Sequence, residues 1–445
     1  MPKNAKPAPS ETEFAALVAI DWADTHHVWC LLANGSPQYE RGSMENTPEE
    51  VDAWAAQLRQ RFSGRPVAVC LEQTRGALVY MLSKYAHLIL FPVHPNTAAQ
   101  YRTTFAPSGA KDDHRDAASL LNLLLHHRDQ LRPLQPDTVE TRLIQFLAEE
   151  RRHVVDERTA QSNRLTAHLK LYFPQILKWF HDVNSPLAGA LLKRWPSLQQ
   201  LKRANPAILG KFFHQHNCRN EKLIEERIKS IYAATAATED QAVLRAGVVI
   251  VQGLVARMET LHTNIAELDR QLAELLAEHP DGPVFSSLPG CGKVLAPRMI
   301  AAFGTQRDRF EDASQMQCHS GIAPLTIASG KVHQVVFRWA SSKFLRQTFQ
   351  EFAEHSIPYS RWAKAYYNYQ RQQQQKDHQA AVRSLAYKWI RILYRCWKDH
   401  KPYDEETYLR SLRHRRSPLA DLLRPATRCE WKSVAGFQKL SADFA

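Results

Sequence analysis

The sequence predicts an α/β domain, then a long α-helical and coiled-coil middle, then a mainly α-helical last domain. Three observations point there. Short apolar runs alternate with amphipathic stretches up to about residue 135, which is the pattern of a sheet with helices on its faces. From about Thr138 the strand signals stop and a long charged helical pattern begins. A heptad-spaced apolar series follows, and a glycine turn then opens a new aromatic-rich helical segment near Phe285. A length of 445 residues agrees with two to three domains, because a single hydrophobic core stops growing well before that size.

Residues 1–12 of "MPKNAKPAPSETEF" lack an apolar signal core and read as a flexible arm. Residues 13–135 form the α/β domain. "FAALVAID" and "HVWCLLA" are β-rich runs, with a turn near "NGSP". Val51, Trp54, Ala55, Leu58 and Phe62 make one helical stripe. "PVAVCLE" and "LILFPV" are short apolar runs of the buried-strand type. The expected sheet is mostly parallel or mixed, and two of its runs, "VAID" and "VCLE", end in a carboxylate.

Residues 136–282 are helical. One long charged helix is followed by breaks marked by Pro174, Pro186, Pro196 and Pro206. Val251, Leu254, Met258, Leu261, Ile265, Leu268, Leu272 and Leu275 then step by threes and fours, a heptad seam. The expectation is a helical hairpin or an intermolecular coiled coil, serving assembly into a homo-oligomer.

Residues 283–402 open with "LPGCGKVLAPRMIAAFG". Gly290 and Gly292 resemble a helix-hairpin-helix turn, where backbone N–H groups and Lys293 can hold a phosphate. Valine follows that lysine and the upstream glycine spacing is missing, so it is no Walker loop, and nucleotide hydrolysis has no support. Further on, Leu385, Trp389, Ile392 and Cys396 form an apolar stripe, with Lys388, Arg391, Arg395 and Lys398 as a basic stripe beside it. Residues 403–445 read as a basic, peripheral tail.

The formal net charge is +13, which points to a polyanion partner, since clustered Lys and Arg release counterions from phosphate backbones. The seven cysteines are scattered and form no C-x-x-C pair, which argues for reduced thiols in a cytosol and against a zinc site. No run of about eighteen consecutive apolar residues occurs, so no membrane span is expected.

"GAKDDHRDA" places Asp112, Asp113 and Asp116 where an apolar helix begins. Asp113 and Asp116 share a helical face, and so do Asp112 and Asp116. Either pair can complement the helix dipole or bind a metal. Mg²⁺ takes oxygen ligands and few carboxylates, and open α/β sheets carry their sites at strand carboxyl ends. Asp21 and Glu72 occupy such ends, with Asp24 as a substitute for Asp21. His26 and His27 read as partly exposed strand residues rather than ligands.

The order "AIDWADTHH", "VCLEQT", "GAKDDHRDA" resembles the DEDD motif of the insertion-sequence transposases of the one-hundred-ten family, including its eleven-eleven subgroup. "K-x-D-x-x-D-A" matches as Lys111, Asp113, Asp116 and Ala117, which favours Asp113 over Asp112. "LPGCGKVLAPRMIAAFG" and "HSGIAPLTIASGK" resemble the family's second signature, although "RWASSK" stands where relatives carry "SKRGN". The resemblance covers roughly residues 13–400. It implies an RNase-H-like, RuvC-like first domain that binds Mg²⁺ through Asp21, Glu72, Asp113 and Asp116. It implies a serine nucleophile at Ser329, supplied to a neighbouring protomer's metal site, and DNA recombination guided by a non-coding bridge RNA in the bacterial cytoplasm. Lys111, Arg115, Lys331 and Arg338 are then candidate phosphate contacts. Without the resemblance, Ser329 is a turn serine, with Ser320, Ser341 and Ser342 as rival hydroxyls. Two other functions fit the same residues: a metal-dependent nuclease or junction resolvase that uses water, and a non-catalytic nucleic-acid-binding protein.

Overall fold

A five-stranded mixed sheet forms the first of the two units into which the chain divides, Met1–Pro136 and Asp137–Ala445. The computed structural model describes residues 14–105, 113–330, 332–421 and 423.

In the first unit the elements are β1 (Ala16–Asp21), β2 (His26–Ala33), β3 (Tyr39–Glu45), α1 (Pro48–Arg61), β4 (Val67–Leu71), α2 (Ala77–Leu82), β5 (Leu88–Pro92), α3 (Pro95–Phe105) and α4 (Asp113–His127). The strand order is β3-β2-β1-β4-β5. β1, β4 and β5 are parallel, and β2 and β3 return antiparallel. This mixed sheet with helices on both faces is consistent with the RNase-H-like fold that the resemblance implies.

Side-chain alternation assigns the two faces. Val18, Ile20, Val67, Val69 and Leu71 point to α1 and α2, where they meet Val51, Trp54, Leu58, Leu78 and Leu82. Ala19, Cys30, Ala68 and Cys70 point to the other face, against Leu120, Leu121 and Leu124 of α4. The small residues on that face let α4 lie close to the sheet, and each fully buried leucine contributes about 1.5–3 kcal/mol. α1 starts where its sequence says: the Thr47 hydroxyl accepts from Glu50 N, Pro48 opens the first turn and Glu49 and Glu50 follow. β3 was not expected. Its sequence, YERGSME, is polar because it is an edge strand with only Met44 buried. His27 is also not partly exposed: it is fully buried, its Nε2 lies 3.1 Å from Asn46 Oδ1, and burial lowers its pKa.

The second unit is built on two long helices, α5 (Val139–Tyr172) and α11 (Gln241–Glu278). Between them run α6 (Ile176–Trp179), α7 (Pro186–Arg194), α8 (Leu198–Lys202), α9 (Pro206–Gln215) and α10 (Glu221–Ala233). Pro186 and Pro206 each occupy a first helical turn, capped by Ser185 and Asn205. α5 and α11 pair antiparallel: Thr141 Oγ1 lies 2.9 Å from His279 Nε2, Arg151 Nε donates to Asp269 at 2.5 Å, and Tyr172 packs on Gly247. The heptad seam is therefore spent inside the chain. Val251, Leu254, Met258, Ile265 and Leu272 are buried along the α5–α11 pair and its neighbours, which makes it a helical hairpin. Of the two arrangements expected for that seam, the helical hairpin is the one present within the chain. α11 also meets the length and apolar composition of a membrane-crossing helix, contrary to the expectation from consecutive residues, while this same face packs on α5.

Close approach explains Gly247. A Cβ there would stand 2.6 Å from the Tyr172 ring, which is itself 2% exposed and donates its hydroxyl to Pro196 O. Helix propensity alone favours Gly247→Ala by about 1 kcal/mol. Overpacking outweighs it, and we expect the substitution to destabilise by about 1–3 kcal/mol and lower Tm. A raised Tm in thermal unfolding would show that Tyr172 yields without cost.

The remainder comprises α12 (Gly282–Ser286), α13 (Gly292–Phe303), α14 (Ala313–His319), β6 (Leu325–Ser329), β7 (Val332–Val336), α15 (Lys343–Ser356), α16 (Arg361–Gln372), α17 (His378–Asp399), α18 (Glu405–His414) and α19 (Pro418–Asp421). Its core gathers Phe285, Phe303, Phe349, Phe352, Trp362, Trp389 and Trp397 with Ile144 and Ala148 of α5. The β6–β7 hairpin interrupts the expected run of helices. The segment beyond residue 403 is less peripheral than its charge suggested: Leu409, Leu412 and Leu419 enter the core, and Tyr403 OH accepts from Trp362 Nε1 at 2.8 Å.

Candidate functional site

Sheet topology brings the four acids toward one end of the first unit. Asp21 closes β1 and Glu72 directly follows β4. β1 and β4 are parallel neighbours in which Ile20 pairs with Leu71, so the two acids emerge side by side at strand carboxyl ends. α4 runs back along β1. Arg128, just past its end, lies over the ring of Phe14, just before β1, at 5.2 Å. The start of α4, with Asp113 and Asp116, therefore points to the end of β1 where Asp21 sits. The lengths agree: six strand residues and fifteen helical residues each span about 20 Å.

The side chains are less converged than the backbone. Asp113 is exposed, whereas Asp116 is 6% exposed. Arg102 of α3 donates to Asp116 Oδ2 at 2.5 Å. Asp116 Oδ1 is buried with no hydrogen-bond partner, an anionic oxygen of the kind a cation satisfies. Among the described residues no group of three or more His, Cys, Asp or Glu side chains is close enough to hold a metal ion. Hard oxygen donors at strand ends and a helix start fit Mg²⁺ in chemistry and topology. Binding would require the carboxylates to turn inward and Arg102 to release Asp116. Asp24 is exposed in the β1–β2 turn. Lys111 and Asp112 lie outside the described residues. Arg115 is exposed on the first turn of α4.

In the second unit, Ser329 is the last residue of β6 and is exposed. It pairs in register with Val332 of β7, which places it next to the turn of the β6–β7 hairpin. Gly330 has φ +55°, a conformation this tight loop demands. Lys331 is outside the described residues. The three rival hydroxyls have structural duties. Ser320 is fully buried and donates to Gln317 O at 3.2 Å. Ser341 donates to Arg338 O and accepts from Arg346 Nη2 at 2.7 Å. Ser342 caps α15 by accepting from Leu345 N.

The glycine turn lies between α12 and α13 as expected, with Gly292 and Lys293 exposed. Gly290 faces protein rather than solvent, since a Cβ there would meet His355 O at 2.4 Å. The α17 stripes shift by one position: Leu393 and Trp397 are buried where Ile392 and Cys396 were expected. Three of the four basic residues there are engaged within the fold. Lys388 lies over the Tyr366 ring at 4.8 Å, Arg395 pairs with Asp399 at 2.6 Å, and Lys398 donates to Arg307 O. Arg391 is exposed.

Sequence reasoning missed one cluster. Phe337 and Trp339 form an edge contact at 4.7 Å, and Arg346 and Arg383 both lie over the Phe337 ring, at 4.6 and 4.3 Å. Its signal was the run "FRWASSK", in which two aromatics flank Arg338.

A mixed α/β sheet with acids at adjacent strand ends, followed by a largely helical unit, is consistent with a transposase of the DEDD type. Two family models match the chain: a DEDD transposase model of the IS110 type over residues 18–174, and the model "Transposase IS116/IS110/IS902 family" over residues 282–368. The chain belongs to the IS110 family of insertion-element transposases. It is similar to the "Mini-circle putative transposase for IS117" of Streptomyces coelicolor, 26% identical over 89% of this chain and 97% of that protein. The IS110 43.6 kDa protein of the same organism is 24% identical over 85% and 93% of the two chains. The IS900 42 kDa protein of Mycobacterium paratuberculosis is 24% identical over 67% and 74%.

Proposed function

We propose that this chain is a recombinase of the eleven-eleven subgroup that cuts and rejoins DNA through Ser329. The observation that carries this reading is the exposed hydroxyl of Ser329 at a hairpin tip, while Ser320, Ser341 and Ser342 serve the fold. Ser329 Oγ loses its proton and attacks the scissile phosphorus. A serine–phosphate ester forms, the bond to the leaving 3′-oxygen breaks, and that oxygen takes up a proton to become a 3′-hydroxyl. Attack by another 3′-hydroxyl reverses the step on a new strand. Each ester replaces another, so no ATP is required.

The RuvC-like acids Asp21, Glu72, Asp113 and Asp116 would hold Mg²⁺. When bound, it supplies Lewis-acid polarisation of the scissile phosphate. Lys331, two residues after the serine in sequence, neutralises charge on the scissile phosphate, and Arg338 contacts the nucleic-acid backbone. Lys111, Arg115, Lys293 and Arg391 bind DNA or RNA backbone. Gly290 and Gly292 shape the turn that presents Lys293. The chain works as a homo-oligomer in which the serine acts for a neighbouring protomer, on bacterial DNA in the cytoplasm. A structured non-coding RNA supplies sequence recognition by base pairing.

A cleavage reaction stopped in denaturant tests the chemistry: labelled DNA remains on the protein if serine attacks, and leaves with the aqueous product if water does. RNA guidance predicts one defined non-coding RNA in the purified protein, identified by sequencing. If phosphate contacts carry affinity, as the +13 charge suggests, raising salt from 50 to 200 mM weakens DNA binding by about 10³-fold or more. A flat salt dependence in a binding titration would contradict that.

A further inference from the structure

Trp339 is 80% exposed, although an indole is the side chain that gains most from burial. It is held out rather than adrift. Arg346 of α15 and Arg383 of α17 both lie over the ring of its neighbour Phe337, and Arg346 Nη2 donates to Ser341 O at 3.1 Å, closing the loop that carries Trp339. That loop packs tightly on Gly321, where a Cβ would meet Ser341 Oγ at 2.0 Å. The guanidiniums of Arg346 and Arg383 share the Phe337 ring, and that of Arg338, between Phe337 and Trp339 in sequence, reaches Cys318 Sγ at 3.8 Å. The Nε of each is buried with no hydrogen-bond partner among the described residues. Burial and the like charge of Arg346 both pull the Arg383 pKa down, against a smaller opposing effect of Asp377. Arginines that each keep one donor without an acceptor, beside an exposed aromatic face, match a ligand that is anionic along its length and flat at intervals.

We propose that Trp339 with Arg338, Arg346 and Arg383 is a binding site for single-stranded DNA, in which an unpaired base stacks on Trp339 while the guanidiniums hold its phosphates. The proposal rests on the reading that the β6–β7 hairpin carries the reacting serine. Stacking on a side chain requires a base released from its own neighbours, which a duplex does not offer without unstacking. Ser329 lies at the tip of the hairpin and Trp339 three residues past its base at Val336, and the five-residue strand sets tip and base about 14 Å apart. A strand cut at Ser329 would thus be gripped a few nucleotides from its break, which keeps the freed end from leaving before rejoining.

Full-length protein carrying Ser329→Ala provides the test, because binding is then read without cutting and whatever the fate of the serine mechanism. Fluorescence anisotropy compares a labelled single-stranded DNA with a duplex of the same length. On that background Trp339→Ala is expected to weaken single-strand binding by roughly tenfold and Trp339→Phe to restore most of it, as a stacking contact requires. Duplex binding should change little, and Trp339, being exposed, can be removed without unfolding the chain. Arg338→Gln should lower the magnitude of the salt slope for the single strand by about 0.7. Unchanged single-strand binding in Trp339→Ala, or equal losses for duplex and single strand, would overturn the assignment. So would a Trp339-dependent preference for single-stranded RNA over DNA of the same sequence.

Discussion

Ser329→Ala is expected to abolish the covalent protein–DNA product and to slow strand cleavage by at least about 10³-fold, because the nucleophile itself is lost and a neighbouring water lacks its positioning. The fold should tolerate the change. Ser329 is exposed at the end of β6, and its role in the hairpin is carried by backbone pairing with Val332 and by the turn at Gly330. The Tm should therefore stay within about 1–2 °C of the parent, since surface substitutions of this kind cost less than about 0.5 kcal/mol. Ser342→Ala makes the contrast. It removes the cap of α15, which costs about 1 kcal/mol, and should leave the adduct in place. Retained cleavage with no adduct in Ser329→Ala would favour the water-using nuclease.

Asp113→Asn is the second large effect. It exchanges one carboxylate oxygen for an amide at an exposed position in the first turn of α4, so folding should be nearly unchanged. Cleavage should fall by about 10²–10⁴-fold if this acid helps to hold the cation that stabilises the transition state. The Mg²⁺-dependent rise in Tm, measured separately from activity, should shrink with it. Asp116→Asn should differ in one respect. It also gives up the ionic hydrogen bond from Arg102, so it should lose about 1–3 kcal/mol of stability even without metal. Full activity in Asp113→Asn and in Glu72→Gln would instead support a non-catalytic nucleic-acid-binding protein.

The parts of the fold that were legible in the sequence are those set by local periodicity. β1, β2, β4 and β5 are apolar because they are buried on one or both faces, and α1 shows its stripe and its cap. What escaped was set by neighbours distant in sequence. β3 is an edge strand whose polar sequence carries no strand signal, and it exists because β2 offers it a ladder. The α11 seam has a heptad period, but a period reports only that a face is covered; pairing with α5 across the hairpin shows by what. The α17 stripe was displaced because Leu393 and Trp397 bury better than Ile392 and Cys396 at the same spacing.

The candidate site divides in the same way. Asp21 and Glu72 could be placed at strand ends by counting along apolar runs, and parallel pairing sets them side by side. The grip of Arg102 on Asp116 had no local signature, because α3 meets α4 only in three dimensions. The pair of arginines over Phe337 joins a loop to two helices, and Arg383 stands outside the basic stripe that periodicity selected.

The most direct measurement is peptide mapping of the trapped adduct by mass spectrometry, after nuclease trimming of the DNA. The mechanism predicts a nucleotide remnant on the peptide containing Ser329, with fragment ions that assign it to that residue. A remnant on Ser320, Ser341, Ser342 or a tyrosine, or no remnant in a reaction that has cut its DNA, would contradict it.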